Sequence, residues 1–381
     1  MSGYKDAISL SELLKATLQC GKGLSYKASV SGYLIDMVCK NHKLQSELLN
    51  DVYSISKYLY FVIKEPKTRL ICATRFRDRV WQKSMCNNGV RDNFLNPLIY
   101  DNGACQKNKG VDFAIDRLIC HLQKYYRKYG TNDGYYDHLD IKGYFPNTPH
   151  SVSKHATDKY VKDSKFREQI YKVIDSFVDQ RPTEVIANDP FGERGTALGS
   201  ELSQLIELAI PNHIDHAIKE RYKPDTFIRF NDDMIIVSNS KETLSSIRNY
   251  IFKEYAKLGL QVTIKQSNEK LSNGVKFLKR RIILTDTGKV IVKADPSKFS
   301  KERKRLRKLK EKLDVGTTDM ESIADHYQSA RAGLDRCDEK VKVRNLDLYY
   351  SHLFNCAPPP HSRRKKNAYC KSKAANRAAR G

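Results

Sequence analysis

Residues 227–237 read Phe-Ile-Arg-Phe-Asn-Asp-Asp-Met-Ile-Ile-Val, and this run predicts two short strands joined by a tight turn. Asn231 and Asp232 tolerate the positive φ angles that such a hairpin requires. The turn would place the carboxylates of Asp232 and Asp233 together at its tip. Like charges this close repel each other unless a cation binds them. The motif by itself is equally compatible with a cation site and with an ordinary turn.

A further carboxylate lies in a comparable setting earlier in the chain. Residues 136–141 have the pattern of an extended, half-buried segment, and Asp140 lies near its end, where an unpaired carboxylate is costly. Three carboxylates that converge from neighbouring strands suit two Mg²⁺ ions, which prefer oxygen ligands and are commonly shared with phosphates. Two such ions about 4 Å apart can activate a 3′-hydroxyl and stabilise a leaving pyrophosphate.

The composition points to a nucleic-acid partner inside the cell. The 381 residues include 68 Lys and Arg against 44 Asp and Glu, a formal charge of +24, and such an excess indicates a polyanionic partner. No apolar run is long enough to span a membrane, and the N-terminus lacks the apolar region of a secretory signal, so we expect a cytoplasmic protein. The nine cysteines contain no C-x-x-C pair, which favours reduced core residues over zinc ligands.

Strand and helix patterns alternate irregularly through residues 59–292, which predicts an α+β body with an antiparallel sheet. Apolar periodicity predicts helices at 9–19, 45–58, 111–129, 202–218 (with a kink at Pro211) and 241–258. Residues 298–312 carry nine basic side chains on a helical pattern. The end of the chain, from Pro358, is basic and poor in large apolar residues, which indicates a disordered tail.

The order of the motifs resembles that of reverse transcriptases. The resemblance rests on Asp140 with an aromatic residue five positions later, on Leu-Gly-Ser-Glu-Leu-Ser-Gln at 198–204, and on Phe-Asn-Asp-Asp at 230–233. The last of these is similar to the Tyr-X-Asp-Asp hairpin of the family. Further segments resemble the primer grip (276–281) and the fingers of bacterial enzymes (65–69, 75–81 and 104–110). The likeness covers about residues 55–355.

One motif also resembles a subgroup of these enzymes. Leu-Gly-x-x-x-Ser-Gln is similar to the motif of diversity-generating retroelement enzymes, whereas most reverse transcriptases have Gln-Gly-x-x-x-Ser-Pro. In that subgroup a residue other than Gln at the position of Leu198 is associated with loose reading of template adenines. Phe230 in place of the usual Tyr, and Asn231 after it, are departures that also fit antiphage-defence enzymes. Both biological settings therefore stay open.

The resemblance implies a right-hand polymerase that copies RNA into DNA. Its expected regions are a helical extension (1–58), fingers (59–135), a palm with finger insertions (136–292), a helical thumb (293–356) and a disordered basic tail (357–381). The expected cofactor is a pair of Mg²⁺ ions, with Mn²⁺ as an alternative. The expected partners are a template or non-coding RNA, a primer or cDNA, and deoxynucleotides; an accessory protein or a second copy is possible, and no membrane is involved.

The resemblance also assigns residues. The predicted catalytic residues are Asp140, Asp232 and Asp233. The predicted metal site comprises these three and Ile141. For Asp233, a supporting role is the alternative to metal binding. The predicted nucleotide-binding residues are Arg75, Lys107, Lys109, Phe145, Leu198, Gly199, Gln204 and Lys265. Phe145 would collide with a ribose 2′-hydroxyl, although a core aromatic is the alternative, and either fingers lysine is equally compatible with a solvated surface charge.

Two rival functions remain. A non-catalytic RNA-binding protein on a retired polymerase scaffold predicts the loss of at least one metal carboxylate, and all three are present. An RNA-templated RNA polymerase is disfavoured by Phe145, because such enzymes tend to have a small or polar residue there.

Overall fold

The structure is a computed structural model that describes residues 3–64, 69–197, 199–334 and 336–360. The chain forms two compact units. The first comprises Met1–Tyr125 and Asp133–Lys270, and the second comprises Tyr126–Asn132 and Leu271–Gly381. Three sequence predictions fall wholly or partly outside the described residues: the fingers segment at 65–69, the nucleotide-binding assignment of Leu198, and the disordered tail from residue 361 onward.

The first unit is rich in helices. Its helices are α1 (Tyr4–Ala7), α2 (Leu10–Gly21), α3 (Ala28–Ile35), α4 (Met37–Leu49), α5 (Phe76–Met85), α6 (Arg91–Leu95), α7 (Val111–Tyr129, whose last turn belongs to the second unit), α8 (Tyr144–Asn147), α9 (His150–Tyr160), α10 (Ser164–Asp175), α11 (Thr183–Ala187), α12 (Glu201–Ala209), α13 (Asn212–Ala217) and α14 (Lys241–Lys257). Its strands are β1 (Leu59–Ile63), β2 (Arg69–Ala73), β3 (Tyr135–Ile141), β4 (Thr226–Phe230), β5 (Asp233–Ser238) and β6 (Val262–Lys270). Short π-helical turns follow α5 and α13.

A four-stranded antiparallel sheet in the order β4-β5-β3-β6 is the centre of the first unit. Successive side chains of a strand point to opposite faces, so β3 and β5 each present two different surfaces. Leu139, Met234 and Ile236 pack on one face in a core with Leu244 and Ile247 of α14. The alternate residues of β3 and β5, which include Asp140 and Asp233, therefore project from the face opposite α14.

Helices α1–α6, α9, α10 and α12 surround a second core that contains the fully buried Trp81. The helix expected at 45–58 is wrong in its second half, because α4 ends at Leu49 and Asp51 has a left-handed φ of 55°. Asn and Asp adopt this conformation more readily than most residues, and it terminates a helix. The kink expected at Pro211 is confirmed as the break between α12 and α13.

In its described residues, the second unit contains a three-stranded antiparallel sheet and three helices besides the last turn of α7. The strands are β7 (Val275–Phe277), β8 (Arg280–Leu284) and β9 (Val290–Ala294), and the helices are α15 (Pro296–Asp314), α16 (Met320–Ala332) and α17 (Lys340–Phe354). The rings of Tyr327 and Tyr350 stack with centroids 4.5 Å apart. Helix α15 buries Leu306 and exposes most of its basic side chains.

The described cysteines are all free thiols. Within the same residues, no helix combines the length and the apolar character that crossing a membrane requires.

Candidate active site

The hairpin of β4 and β5 has the turn that its sequence predicts. Asn231 has a φ of 53°, in the left-handed region. Phe230 and Asp233 are paired residues on either side of the turn. The guanidinium of Arg229 donates to the carboxylate of Asp215 over 2.9 and 2.7 Å, and both side chains are fully buried. A further Arg229 N–H donates to the carbonyl oxygen of Asn231 over 3.4 Å, so this buried ion pair braces the hairpin tip.

The structure brings the three predicted carboxylates together. Asp140 on β3 is directly opposite Asp233 on β5, an arrangement that places two Cβ atoms about 5 Å apart. The backbone N–H of Ile141 donates to the carbonyl oxygen of Asp232 over 3.2 Å, which draws the turn towards β3. One carboxylate oxygen from each of Asp140, Asp232 and Asp233 lies within 4.8 Å of the others.

Two further side chains complete this cluster. The Nζ atom of Lys265 on β6 donates to Oδ1 of Asp140 and to Oδ1 of Asp233, over 2.6 Å in each case. The Nε2 atom of His138 lies 2.8 Å from the same oxygen of Asp233. The family resemblance predicts that Lys265 binds the nucleotide, and it does not single out His138. A signal was present, because a residue two positions before Asp140 on a strand shares its face.

The carboxylates differ in their proton affinity. Burial, together with repulsion from Asp140 and Asp233, raises the pKa of Asp232. Burial acts in the same direction on Asp233, but hydrogen bonds from His138 and Lys265 outweigh it and lower the pKa of Asp233. Burial would lower the pKa of Lys265, but its bonds to the two carboxylates prevail and raise that pKa.

The donor set fits divalent metal ions. Three carboxylates and the single ammonium of Lys265 leave two uncompensated negative charges, and hard oxygen donors of this kind are those that Mg²⁺ and Mn²⁺ prefer. Ile141, the fourth predicted metal residue, has an apolar and fully buried side chain. Only its backbone carbonyl oxygen could therefore act as a ligand. The residues that would hold the metal are thus Asp140, Asp232 and Asp233, with the Ile141 carbonyl beside them.

The model of one protein family matches the part of the chain that contains this cluster. The match covers residues 62–279, more than half of the chain, and the family is described as reverse transcriptase (RNA-dependent DNA polymerase). The chain belongs to the reverse transcriptase family. The matched residues include Asp140, Asp232 and Asp233.

One solved structure supports the fold of this family member, and two others have lower similarity. The RNA-dependent RNA polymerase 3Dpol of a Sicinivirus has 15% sequence identity and a TM-score of 0.50, over 82% of this chain and 66% of that one. Two structures of apo telomerase from Candida tropicalis have 15% and 14% identity, TM-scores of 0.44 and 0.47, and cover 65% and 78% of this chain. The chain has the right-hand polymerase fold, with mixed helix and antiparallel sheet. It spans 60–66% of the length of these solved structures. No curated protein matches the chain.

The motif that follows Asp140 lies against the segment that leads to Leu198. The carbonyl oxygen of Phe145 accepts a hydrogen bond from the N–H of Thr196 over 3.0 Å, and the Phe145 side chain is half-buried. Gly199 has a φ of 108°, a conformation that favours glycine. It is followed by α12, which carries Gln204 in its first turn.

The three predicted cationic residues of the fingers have different surroundings. Arg75 is exposed, and its Nε donates to the carbonyl oxygen of Lys57 over 3.1 Å. Lys107 is exposed in the loop between α6 and α7. The ammonium of Lys109 donates to the carbonyl oxygens of Tyr100 and Asn102 over 2.9 and 3.2 Å. These bonds direct Lys109 towards its own loop.

The loop that contains Lys109 reaches the β4–β5 hairpin. The N–H of Gly103 donates to the carbonyl oxygen of Arg229 over 2.9 Å. A Cβ atom on Gly103 would lie 2.9 Å from Cβ of Ala114 in α7. The close approach of the loop to α7 therefore requires glycine at position 103. Cys105, which sequence reasoning did not assign to the site, has its Sγ 3.4 Å from Oε1 of Gln204. The loop therefore joins the hairpin to the first turn of α12.

Proposed function

We propose that this chain is an RNA-directed DNA polymerase, which copies an RNA template into complementary DNA by metal-dependent transfer of deoxynucleotides to a primer 3′-hydroxyl. The observation that carries the proposal is the convergence of Asp140, Asp232 and Asp233 in a member of the reverse transcriptase family. A non-catalytic RNA-binding protein does not need a complete carboxylate set, so this alternative is weaker.

The proposed reaction uses the side chains of the cluster in different ways. Two Mg²⁺ ions, when bound, would make the 3′-hydroxyl more acidic and neutralise charge on the leaving pyrophosphate. Asp140, Asp232 and Asp233 would hold these ions. Hydrogen bonds from His138 and Lys265 to Oδ1 would orient Asp233, and a purely supporting role of Asp233 is the alternative. The ammonium of Lys265 would place a fixed positive charge beside the triphosphate.

The proposed substrate is a deoxynucleoside triphosphate. Phe145 would exclude a ribose by contact with its 2′-hydroxyl, and this disfavours an RNA-templated RNA polymerase. Arg75 and Lys107 are exposed cations that would bind phosphate oxygens. We assign a weaker phosphate-binding role to Lys109, because backbone carbonyls already accept its hydrogen bonds. Gly199 and Gln204, with Leu198, would line the pocket for the nucleotide and the templating base.

The regions expected from the sequence are also proposed as functional parts. Residues 59–135 would be the fingers, 136–292 the palm, 293–356 the thumb, 1–58 a helical extension and 357–381 a basic tail. The exposed cations of α15 support a thumb that binds the template–primer backbone without sequence preference. The excess of basic residues over the whole chain supports an RNA partner.

For the biological setting we favour a diversity-generating retroelement. The support is the Leu-Gly-x-x-x-Ser-Gln motif at 198–204. An aliphatic Leu198 side chain cannot make the polar contacts that help to hold a base pair in register, so the penalty for a wrong pair would fall. An antiphage-defence enzyme that acts with a non-coding RNA is the second candidate, supported by Phe230 and Asn231. An accessory protein or a second copy would act as partner in either setting.

The test is to sequence the nucleic acid that co-purifies with the wild-type protein and with the double variant Asp232→Ala/Asp233→Ala. A double variant of two exposed acids, Asp158→Ala/Asp175→Ala, is the matched control. We expect complementary DNA with the wild type and the control only. Changes concentrated opposite template adenines would support the retroelement, and repetitive products would support defence. Identical RNA and no DNA from all three proteins would refute polymerase function.

A further inference from the structure

A buried carboxyl group on α12 takes no part in the reaction described above. Glu207 on α12 is 2% exposed. Its Oε2 lies 2.9 Å from Oγ1 of Thr148, and its Oε1 lies 2.9 Å from Oγ1 of Thr196. Its backbone carbonyl oxygen accepts a hydrogen bond from the hydroxyl of Tyr144 over 2.6 Å. One residue of α12 therefore binds two separate segments of the chain.

These two segments are close in sequence to two predicted nucleotide-binding residues. The first, residues 144–148, contains Phe145. The second, residues 195–197, leads directly to Leu198. The N–H of Thr196 donates to the carbonyl oxygen of Phe145 over 3.0 Å, and the N–H of Gly195 donates to the carbonyl oxygen of Thr148 over 2.8 Å. The buried side chain of Glu207 is hydrogen-bonded to one threonine of each segment, Thr148 and Thr196.

The hydrogen atoms of this network are best accounted for when Glu207 is a neutral acid. The single hydroxyl hydrogen of Thr148 has two acceptors within reach, Oε2 of Glu207 and the carbonyl oxygen of Tyr144 at 2.8 Å. An ionised carboxylate can only accept, so the two would compete for that hydrogen. A protonated Glu207 donates to Thr148, which then donates to Tyr144, while Thr196 donates to the other carboxyl oxygen. Burial also raises the pKa of Glu207 to about 8, against the effect of its hydroxyl partners.

We infer that Glu207 is a positioning residue for sugar selection, which holds the backbone of Phe145 against residues 195–197 so that the Phe145 ring stays where a ribose 2′-hydroxyl would collide with it. The inference rests on the proposed function. Glu207 does not touch the nucleotide in this role. It acts through Phe145, and a displacement of about 1 Å at such a position can alter a rate by up to about 100-fold.

The test measures incorporation of one deoxynucleotide and of the matching ribonucleotide on an RNA template, with kcat and KM determined separately. Glu207→Leu removes both side-chain hydrogen bonds, whereas Glu207→Gln keeps a neutral group that can accept from Thr196 and donate to Thr148. We expect the preference for the deoxynucleotide in kcat/KM to fall about ten-fold or more in Glu207→Leu, mainly through better use of the ribonucleotide. Glu207→Gln should retain the wild-type preference.

Ile170→Ala is the control for a loss of stability, because Ile170 is a fully buried apolar residue of α10 that makes none of the side-chain hydrogen bonds of this network. It should lower the melting temperature and leave the sugar preference unchanged. A folded Glu207→Leu protein with the wild-type preference would overturn the inference. If Glu207→Leu does not fold, the smaller change Thr196→Val tests the same network and must also weaken the preference. A wild-type protein that incorporates neither nucleotide would instead refute the proposed function, and this inference with it.

Discussion

The Nε2 atom of His138 lies 2.8 Å from Oδ1 of Asp233, the oxygen that also accepts a hydrogen bond from Lys265. His138 precedes Asp140 by two residues on β3, and Asp140 is paired with Asp233 across the sheet. The imidazole thus orients one carboxylate of the cluster from the strand that carries another. Partners of this kind tune metal ligands without binding the metal themselves.

Replacement of His138 should therefore weaken metal use. In His138→Ala we expect the Mg²⁺ concentration for half-maximal DNA synthesis to rise about 10-fold or more, because Asp233 loses an orienting contact. A Mg²⁺ titration of primer extension measures this. His155→Ala, at an exposed position of α9, should leave the titration unchanged. Superimposable curves for His138→Ala and the wild type would contradict the orienting role.

Lys265 should stabilise the cluster when no metal is present. Lys265→Met leaves three carboxylates without their ammonium partner, so we expect the melting temperature without metal to fall. Added Mg²⁺ should then raise the melting temperature more than in the wild type, because the ion relieves a larger repulsion. Thermal unfolding with and without Mg²⁺ tests both statements. The exposed Lys253 of α14 provides the control, Lys253→Met; an equal Mg²⁺ response in all three proteins would argue against this role.

Glu207 should make folding stability depend on pH. Burial raises the pKa of Glu207 from the ordinary 4.5 to about 8, so the folded protein holds a proton that the unfolded chain has released between these values. Its contribution to the free energy of unfolding is fully present below pH 4.5 and is lost as the pH rises through 8. Over this interval the contribution of Glu207 to the free energy of unfolding falls by at most about 1.4 kcal/mol per pH unit.

Urea unfolding of the wild type and of Glu207→Gln between pH 5 and pH 9 (roughly the interval set by the two pKa values) checks this prediction. Subtraction of the two curves removes the titration of groups that both proteins share. The free energy of unfolding of the wild type minus that of Glu207→Gln should fall as the pH rises. Parallel curves would show that Glu207 does not take up a proton on folding.

Asp215 should be essential for the stability of the hairpin. Asp215→Ala leaves the fully buried guanidinium of Arg229 without its carboxylate. Removal of one partner of such a pair costs about 3–5 kcal/mol, because the other charge stays buried and uncompensated. Denaturant unfolding measures the loss. The control is Asp314→Ala, which breaks the exposed pair with Lys310 and should cost at most about 1 kcal/mol; similar losses in both variants would contradict the bracing role of the buried pair.

The basic face of α15 should bind nucleic acid through its phosphates. Lys304, Arg307 and Lys308 are exposed, and their replacement by alanine should weaken RNA binding about equally for all sequences. The slope of log K against log salt concentration should become shallower by about 0.7 for each phosphate contact that is lost on single-stranded RNA. Filter binding at several salt concentrations measures this. An unchanged slope would exclude α15 from the RNA contacts.

Much of the candidate site could be predicted from local pattern. The β4–β5 hairpin was predictable because alternating apolar runs and an Asn-Asp turn specify it within a few residues. The break at Pro211 was predictable because proline lacks the backbone N–H that a helix uses. The end of α4 at Leu49 was missed, because the apolar periodicity continues past it while the chain turns at Asp51.

The remaining contacts depend on residues far apart in the chain. Lys265 reaches Asp140 and Asp233 only because β6 pairs with β3 in a particular register, and that pairing contains bulges. A one-residue slip would move the lysine to the other face of the sheet. The bonds of Glu207 to Thr148 and Thr196 likewise form only when α12 packs against two other segments.

The amino-acid sequence alone determined the family likeness, the basic character, the hairpin and the three carboxylates, because each depends on residue type and short-range spacing. The tertiary structure decided which groups surround those carboxylates, which of the predicted fingers cations donate to backbone carbonyls, and that the carboxyl group of Glu207 is buried. Burial and hydrogen-bond partnership arise from packing between distant segments, and residue type does not encode them locally.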